Sequence, residues 1–163
     1  EMACLFSAFS VPEISISDYV TRMEQYAEIH STTLLCGLIY IDRVLACSDN
    51  LKLSFFTVHR LLLVATMLAA KFAEDSHFNN NHWAKVGGVP LSELNELELM
   101  FCSALKFSFF IKPEQFSLYS KRLKDFRPEA VTPISPKVHS RRGILFFYLI
   151  NLNYLFIYQL INS

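Results

Sequence analysis

The sequence has no excess of charge of either sign. Fifteen Lys and Arg residues are balanced by fifteen Asp and Glu residues, so the formal net charge at pH 7 is zero. Proteins that bind nucleic acid neutralise its phosphates with clustered cations, and this chain has no long basic stripe. We therefore expect no nucleic-acid partner.

Motifs that carry catalysis or bind metals are also missing. The sequence has no HExxH, GxSxG, GxGxxG or P-loop pattern, and no two of its five histidines have the spacing of metal ligands in a helix. The four cysteines form no CxxC pair, and Cys36 and Cys102 lie in apolar helical patterns where thiols behave as small hydrophobic groups. We expect no catalytic residue, metal or cofactor, and reduced cysteines in the nucleus, the cytoplasm or both.

Apolar residues are abundant. Hydrophobic residues make up 52% of the chain and charged residues 18%, which is more apolar than a typical soluble domain. The 163 residues are enough for one domain with its own core. The apolar excess points to a partner surface, a membrane contact or an unusual tail.

Residues 57–75 predict the helix around which the chain is organised. The segment is rich in Leu and Ala and has no Gly or Pro. Residues 58–72 are apolar on nearly every side, which is typical of a helix at the buried centre of a bundle. Lys71 is the informative exception, because it follows Met67 by four residues and Leu68 by three and so belongs to an apolar face. Its ammonium must reach outward or find a partner.

Helical periodicity extends through most of the remaining chain. No segment convincingly predicts a strand, so the fold class is an all-α bundle with a nearly surrounded third helix. Asp42 and Arg43 mark the polar side of the second helix, and Gly87-Gly88 is expected to end a short helix. The predicted helices are 18–28, 32–46, 57–75, a short one at 82–86, 93–107 and 113–124, with N-caps expected at Ser15 or Ser17, Ser31, one of Asn79 to Asn81, and Ser92.

The chain is expected to divide into four parts. These are an irregular lead-in at 1–14, a helical domain at 15–126, a linker rich in Pro, Ser and basic residues at 127–143, and an apolar tail at 144–163. Since the first residue is Glu1, we expect the native N-terminus to lie further upstream.

The apolar tail has three interpretations. It is a non-native segment such as translated non-coding DNA, a helix that covers the domain, or a membrane contact through residues 144–161. Asn151, Asn153 and Gln159 disfavour insertion of this segment into a bilayer.

Glu98 is a second charge on an apolar face, four residues after Leu94 and three before Phe101. Lys71 and Glu98 therefore lie on apolar stripes of two long helices. One interpretation is an intramolecular salt bridge that joins these helices. The other is a clamp for a partner, in which the Lys donates to backbone carbonyls and the Glu accepts from backbone amides of a docked helix end. The spacing does not decide between them.

Several motifs together resemble the cyclin box, and in particular the box of the P-type, phosphate-pathway-like cyclins of yeast, plants and protozoa. The similarity covers about residues 14–126. Its motifs are Tyr40-Ile41-Asp42-Arg43, Val58-His59-Arg60-Leu61-Leu62, Ala69-Ala70-Lys71-Phe72, Phe78-Asn79-Asn80, Trp83-Ala84-Lys85-Val86-Gly87-Gly88-Val89, Glu93-Leu94-Asn95-Glu96-Leu97-Glu98, and Phe101.

This resemblance implies a single five-helix cyclin box around a central third helix, with no catalytic activity of its own. It implies a non-catalytic subunit that binds and activates a cyclin-dependent protein kinase by docking its PSTAIRE-type helix. Lys71 and Glu98 match the Lys and Glu with which cyclins hydrogen-bond the kinase. The apolar residues expected around them, some in a groove and others in the core, are Leu68, Phe72, Leu94 and Phe101.

The chain also departs from the wider family. The first predicted helix lacks the MRAIL-type motif with which mitotic cyclins dock substrates, and too few residues follow Phe126 for a second cyclin fold. A single box is normal for the P-type group. The alternative function is a cyclin-box adaptor or scaffold that binds a partner other than a kinase.

Overall fold

The computed structural model describes residues 2–75 and 78–125, and no strand occurs among them. The all-α fold class is therefore confirmed. The helices of this part of the chain are α1 (Met2–Phe6), α2 (Ile16–Ala27), α3 (Ser31–Cys47), α4 (Val58–Ala73), α5 (Asn80–Gly87), α6 (Leu91–Ala104) and α7 (Pro113–Asp125).

Helix α4 is the centre of the bundle, as its apolar sequence predicts. Twelve of its 16 residues are buried, and it packs against α2, α3, α5 and α6. It approaches α3 closely at Gly37, where an added Cβ would lie 3.2 Å from the Cα of Thr66. Glycine at this position therefore lets α3 and α4 pack backbone to backbone.

Two of the predicted N-caps are confirmed. The Ser15 hydroxyl accepts a 3.0 Å hydrogen bond from the amide of Asp18, and the Asn79 side chain accepts one of the same length from the amide of His82. At the C-terminus of α5, Gly88 has a φ of 67°, a left-handed conformation that suits glycine. These local signals fix the ends of α2 and α5.

The other two predicted N-caps are wrong. Helix α3 begins at Ser31 itself, and α6 begins at Leu91, one residue before Ser92. The residues in the N-cap positions are His30 and Pro90, and neither makes a capping side-chain hydrogen bond. Pro90 has a φ of −60° that already suits the start of a helix, so the helix starts without a polar cap.

The lead-in is not irregular throughout, because residues Met2–Phe6 form α1. Phe6 is fully buried, and its ring centroid lies 6.1 Å from that of Phe101 in α6. This long-range packing organises a segment that is too short to form a helix from local propensity alone.

Three neighbouring side chains of α3 hold the chain that follows α6. The Tyr40 hydroxyl donates to the carbonyl of Phe109 at 2.8 Å, and the Arg43 guanidinium donates to the carbonyls of Ser108 and Phe110 at 3.0 Å each. Asp42 accepts a hydrogen bond from Tyr119 of α7. The polar side that Asp42 and Arg43 mark is thus turned toward other parts of the protein, and Asp42 is only 8% exposed because α7 covers it.

The linker at 127–143 and the tail at 144–163 lie outside the described residues, and the predictions about them, including a membrane contact through 144–161, stay predictions. Within residues 2–75 and 78–125, none of the helices has the length and apolar character needed to cross a bilayer.

Candidate functional site

Lys71 and Glu98 form an ion pair between the last turn of α4 and the middle of α6. The Lys71 Nζ lies 2.6 Å from the Glu98 Oε1, so the salt-bridge interpretation is confirmed. The two side chains are nevertheless 25% and 21% exposed. The pair therefore opens onto the surface of the bundle and is not sealed within its core.

Asn80, the first residue of α5, completes this arrangement. Its side-chain carbonyl accepts a 2.5 Å hydrogen bond from the Lys71 Nζ, and its amide nitrogen donates to the Glu98 Oε2 at 2.6 Å. The same amide donates to the Asn95 Oδ1 at 2.7 Å. We call Lys71, Asn80 and Glu98 the Lys71 cluster, in which each residue binds the other two.

Among the residues that the structure describes, the Lys71 cluster keeps some hydrogen-bonding capacity free. An ammonium group has three N–H donors, and two of those on Lys71 are used by Glu98 and Asn80. A carboxylate has about four acceptor positions, and each oxygen of Glu98 has one of these partners. The cluster can thus donate one hydrogen bond and accept others without opening the ion pair.

The apolar residues expected around the pair lie in two different environments. Phe72 is 55% exposed and is available to a partner. Leu94 and Phe101 are fully buried, and Leu68 is nearly so. These three belong to the hydrophobic core, as was expected for some members of this set. Direct partner contact stays a prediction for Lys71, Glu98 and Phe72.

An apolar groove begins at Phe72. It has a volume of about 400 Å³ and runs between α3, the end of α4, the segment after α6 and the start of α7. The Phe72 and Phe109 ring centroids are 5.7 Å apart, and Phe110 is mostly exposed. We call this surface the Phe72 groove, and its lining includes Cys36, Tyr40, Phe72, Ala73, Phe109, Phe110, Ile111, Pro113 and Phe116.

The polar groups that line the Phe72 groove stay uncharged near neutral pH. Burial raises the pKa of Tyr40 to about 12, and burial also raises the pKa of the Cys36 thiol. The Arg43 guanidinium lies 5.9 Å from the Tyr40 ring centroid, where it faces the aromatic ring. The groove therefore presents an apolar, aromatic surface, and the Arg43 cation lies beside the Tyr40 ring.

Sequence reasoning missed Asn80 and the wall formed by Phe109, Phe110 and Ile111. The three consecutive asparagines at 79–81 signal a loop and a cap, and nothing in that pattern selects Asn80 as a partner of Lys71. The aromatic run near Phe109 gives a signal, since apolar side chains between two helices need a surface to cover. Which surface they cover depends on Tyr40 and Arg43 and thus on long-range contacts.

The comparison with family models identifies the architecture. The model described as Cyclin matches residues 1–109, which is more than half of the chain. The chain belongs to the cyclin family. With α2 counted as the first helix of the box, α4 is the central third helix and α6 is the fifth.

Similar curated proteins are cyclins of plants and yeast. This cyclin is 37% identical over 120 residues to Cyclin-U4-1 of Arabidopsis thaliana, covering 74% of this chain and 59% of that protein. It is 39% identical over 120 residues to the PHO85 cyclin-like protein psl1 of Schizosaccharomyces pombe, covering 73% and 49%. It is 35% identical over 114 residues to Cyclin-P4-1 of Oryza sativa, covering 70% and 54%.

These similarities confirm that residues 1–109 form a cyclin box and that the chain is related to U-type and P-type cyclins. The chain spans about half the length of the curated relatives it matches. The Lys71 cluster and the Phe72 groove both fall within or directly beside the part of the chain that the family model covers.

Proposed function

We propose that this cyclin is a non-catalytic regulatory subunit that binds and activates a cyclin-dependent protein kinase. The observation that carries the proposal is a partly exposed ion pair at the same helix end as an exposed apolar groove. Lys71 and Phe72 are consecutive residues in the last turn of α4, so the two parts of the proposed binding surface, the Lys71 cluster and the Phe72 groove, both begin at this turn and point about 100° apart around the helix axis.

The two parts of this surface suit a helix of a partner protein. The apolar face of an amphipathic helix would bury against Phe72 and Phe110, which are otherwise in contact with water. At the end of that helix, backbone groups without intrahelical partners would meet the Lys71 cluster. The free donor of Lys71 suits a carbonyl, and the acceptors of Glu98 suit amides.

Binding of this kind would activate a kinase by holding one of its helices in the active position. A protein kinase is active when a Glu of its mobile helix pairs with the Lys that holds the ATP phosphates. A cyclin surface that binds this PSTAIRE-type helix only in its inward position shifts the kinase toward the active state. The name of the PHO85 cyclin-like relative supports a kinase of the PHO85 type as partner.

The proposal also places the protein in the nucleus, the cytoplasm or both. All four cysteines, Cys4, Cys36, Cys47 and Cys102, are free thiols in the structure. Free thiols are the usual state of cysteine in reducing compartments.

The test combines binding with kinase activity. The full chain is titrated against a panel of purified monomeric cyclin-dependent kinases, and the activity of each kinase is measured with and without it. We expect one kinase to bind and gain activity, and Lys71→Ala and Glu98→Ala to weaken binding at least about tenfold. Glu96→Ala is the matched control, because Glu96 is exposed on the same helix as Glu98.

Circular dichroism of each variant separates binding from folding. Lys71→Ala and Glu98→Ala are expected to keep the helicity and cooperative unfolding of the parent chain. Unfolding of both variants would show that the ion pair serves the fold rather than a partner. If no kinase in the panel binds while another protein is held through this surface, the chain is an adaptor and the kinase proposal is wrong.

A further inference from the structure

We infer that Asn80 is a positioning residue that orders Lys71 and Glu98 for a partner before the partner arrives. The inference rests on the proposed function, because it assumes that these two side chains bind a partner's backbone. It assigns a role to a residue that does not line the apolar groove.

The geometry of Asn80 is specific to this task. A carboxamide has one acceptor and two donors on a rigid plane, and Asn80 uses them on both members of the ion pair. Its carbonyl accepts from Lys71, while its amide donates to Glu98 and to Asn95. A side chain that only accepted, or only donated, could not hold both charges.

Helix capping does not explain Asn80. The cap of α5 is made by Asn79, whose side chain accepts from the amide of His82. Asn81, on the other side, is exposed. Of the three consecutive asparagines, Asn79 caps the helix, Asn80 joins the Lys71 cluster, and Asn81 offers a matched control.

The physical consequence is pre-organisation. A free lysine side chain has many rotamers, and holding it in one of them before binding removes that ordering from the binding step. Lys71 donates two hydrogen bonds that hold it, one of them to the side-chain carbonyl of Asn80. Removal of Asn80 would leave Lys71 with a single flexible partner and would free one oxygen of Glu98.

Two substitutions distinguish the parts of this role. Asn80→Ala removes both hydrogen bonds to the ion pair, together with the one to Asn95, and is expected to weaken kinase binding about tenfold. Asn80→Asp keeps the shape but replaces the donor that faces Glu98 with a carboxylate. Two carboxylates would then share one ammonium, so we expect Asn80→Asp to weaken binding more than Asn80→Ala.

A double variant tests the donor directly. Combining Asn80→Asp with Glu98→Gln moves the carboxylate to position 80 and the amide to position 98. One ammonium, one carboxylate and one amide are then present again, and Lys71 is expected to regain its order. If Lys71 does not regain its order in the double variant, the balance of donors and acceptors around it is not what holds it, and the inference is wrong.

The experiment measures order and binding in the same set of variants. The ¹⁵N relaxation of the Lys71 ammonium, assigned by its absence in Lys71→Arg, reports side-chain order in the isolated full chain. Affinity is measured for the kinase identified in the preceding experiment. We expect restricted motion in the parent chain, in Asn81→Ala and in the double variant, and increased motion in Asn80→Ala.

The outcomes separate the two proposals. If Lys71→Ala weakens kinase binding but Asn80→Ala and Asn81→Ala bind equally well, the inference about Asn80 is wrong while the proposed function stands. If Lys71→Ala also leaves binding unchanged, both fail at this surface. Equal ammonium motion in Asn80→Ala and the parent chain overturns the inference whatever the affinities are.

Discussion

The hydroxyl of Tyr119 donates a 2.6 Å hydrogen bond to the Oδ2 of Asp42 and thereby fastens α7 to α3. Asp42 is buried, and the hydrogen bond gives its carboxyl group a partner away from water. Helix α7 contributes Phe116 to the Phe72 groove. The contact between Tyr119 and Asp42 therefore helps to fix one side of the proposed kinase-binding surface.

The pKa of Asp42 predicts a pH dependence of stability. Burial raises this pKa to about 6, although the hydrogen bond from Tyr119 and the charge of Arg122 act in the opposite direction. The folded chain thus binds a proton at Asp42 more tightly than the unfolded chain, whose reference pKa is 3.8. The contribution of Asp42 to the free energy of unfolding should increase by about 1 kcal/mol when the pH falls from about 7 to about 5.

The measurement is urea unfolding of the parent chain and of Asp42→Asn at both pH values. The difference between the free energies of unfolding of the two chains removes the contributions of other groups that titrate. Among these are Glu24 and His59, because burial raises the pKa of Glu24 and lowers that of His59. The parent chain should gain stability relative to Asp42→Asn at the lower pH. A difference that stays constant between the two pH values would contradict the raised pKa.

Arg43 is predicted to hold the wall of the groove. Its guanidinium donates to the carbonyls of Ser108 and Phe110 and to the side chain of Gln115 at 2.8 Å. Arg43→Gln should release these contacts, increase amide hydrogen exchange in residues 108–111, and lower the free energy of unfolding by about 1–3 kcal/mol.

A second arginine provides the control for this effect. Arg22 also donates to a backbone carbonyl, that of Lys85, but it is exposed and lies on α2. Arg22→Gln should leave hydrogen exchange in residues 108–111 unchanged. Equal exchange in the two variants would mean that Arg43 does not organise the wall.

The sequence predicts the central helix well because its signal is local. The apolar run of α4 and the stripe of α6 follow the helical period, and this period places Lys71 and Glu98 on apolar faces of the two helices. Local chemistry likewise predicts the caps at Ser15 and Asn79. In each case the information lies within about one helical turn.

The parts that could not be predicted depend on contacts across the chain. Helix α1 packs through Phe6 on Phe101 of α6, and Asp42 is buried where α7 covers it. The position of Asn80 is set by the docking of α5 between α4 and α6. The periodicity of a single helix carries no information about which neighbour covers which of its polar residues.

Gly87 should be sensitive to a single methyl group. A Cβ at this position would lie 2.2 Å from the Leu63 Cδ2 in the core. Gly87→Ala should therefore lower the free energy of unfolding by about 1–3 kcal/mol. Gly88→Ala is the informative comparison, because an added methyl group at Gly88 would meet no neighbouring atom. The φ of 67° at this position means that alanine would cause only backbone strain, which should lower the free energy of unfolding by about 1 kcal/mol.

Combining Gly87→Ala with Leu63→Ala tests the cause of this destabilisation. If the methyl group acts through Leu63, the double variant should be less destabilised than the sum of the two single variants. Additive effects would instead point to a change in the backbone of α5.

Phe72 and Phe110 are expected to affect binding far more than folding. Both rings are more than half exposed, so their truncation removes little buried area from the isolated chain. Against a kinase helix the same rings would be covered, and Phe72→Ala or Phe110→Ala should weaken kinase binding by about tenfold or more.

Phe55→Ala is the matched control, because Phe55 has a similar exposure but lies outside the lining of the groove. Calorimetric titration of the kinase and thermal unfolding of each variant give the two quantities, and equal affinities for Phe72→Ala and Phe55→Ala would exclude the groove as the kinase-binding surface.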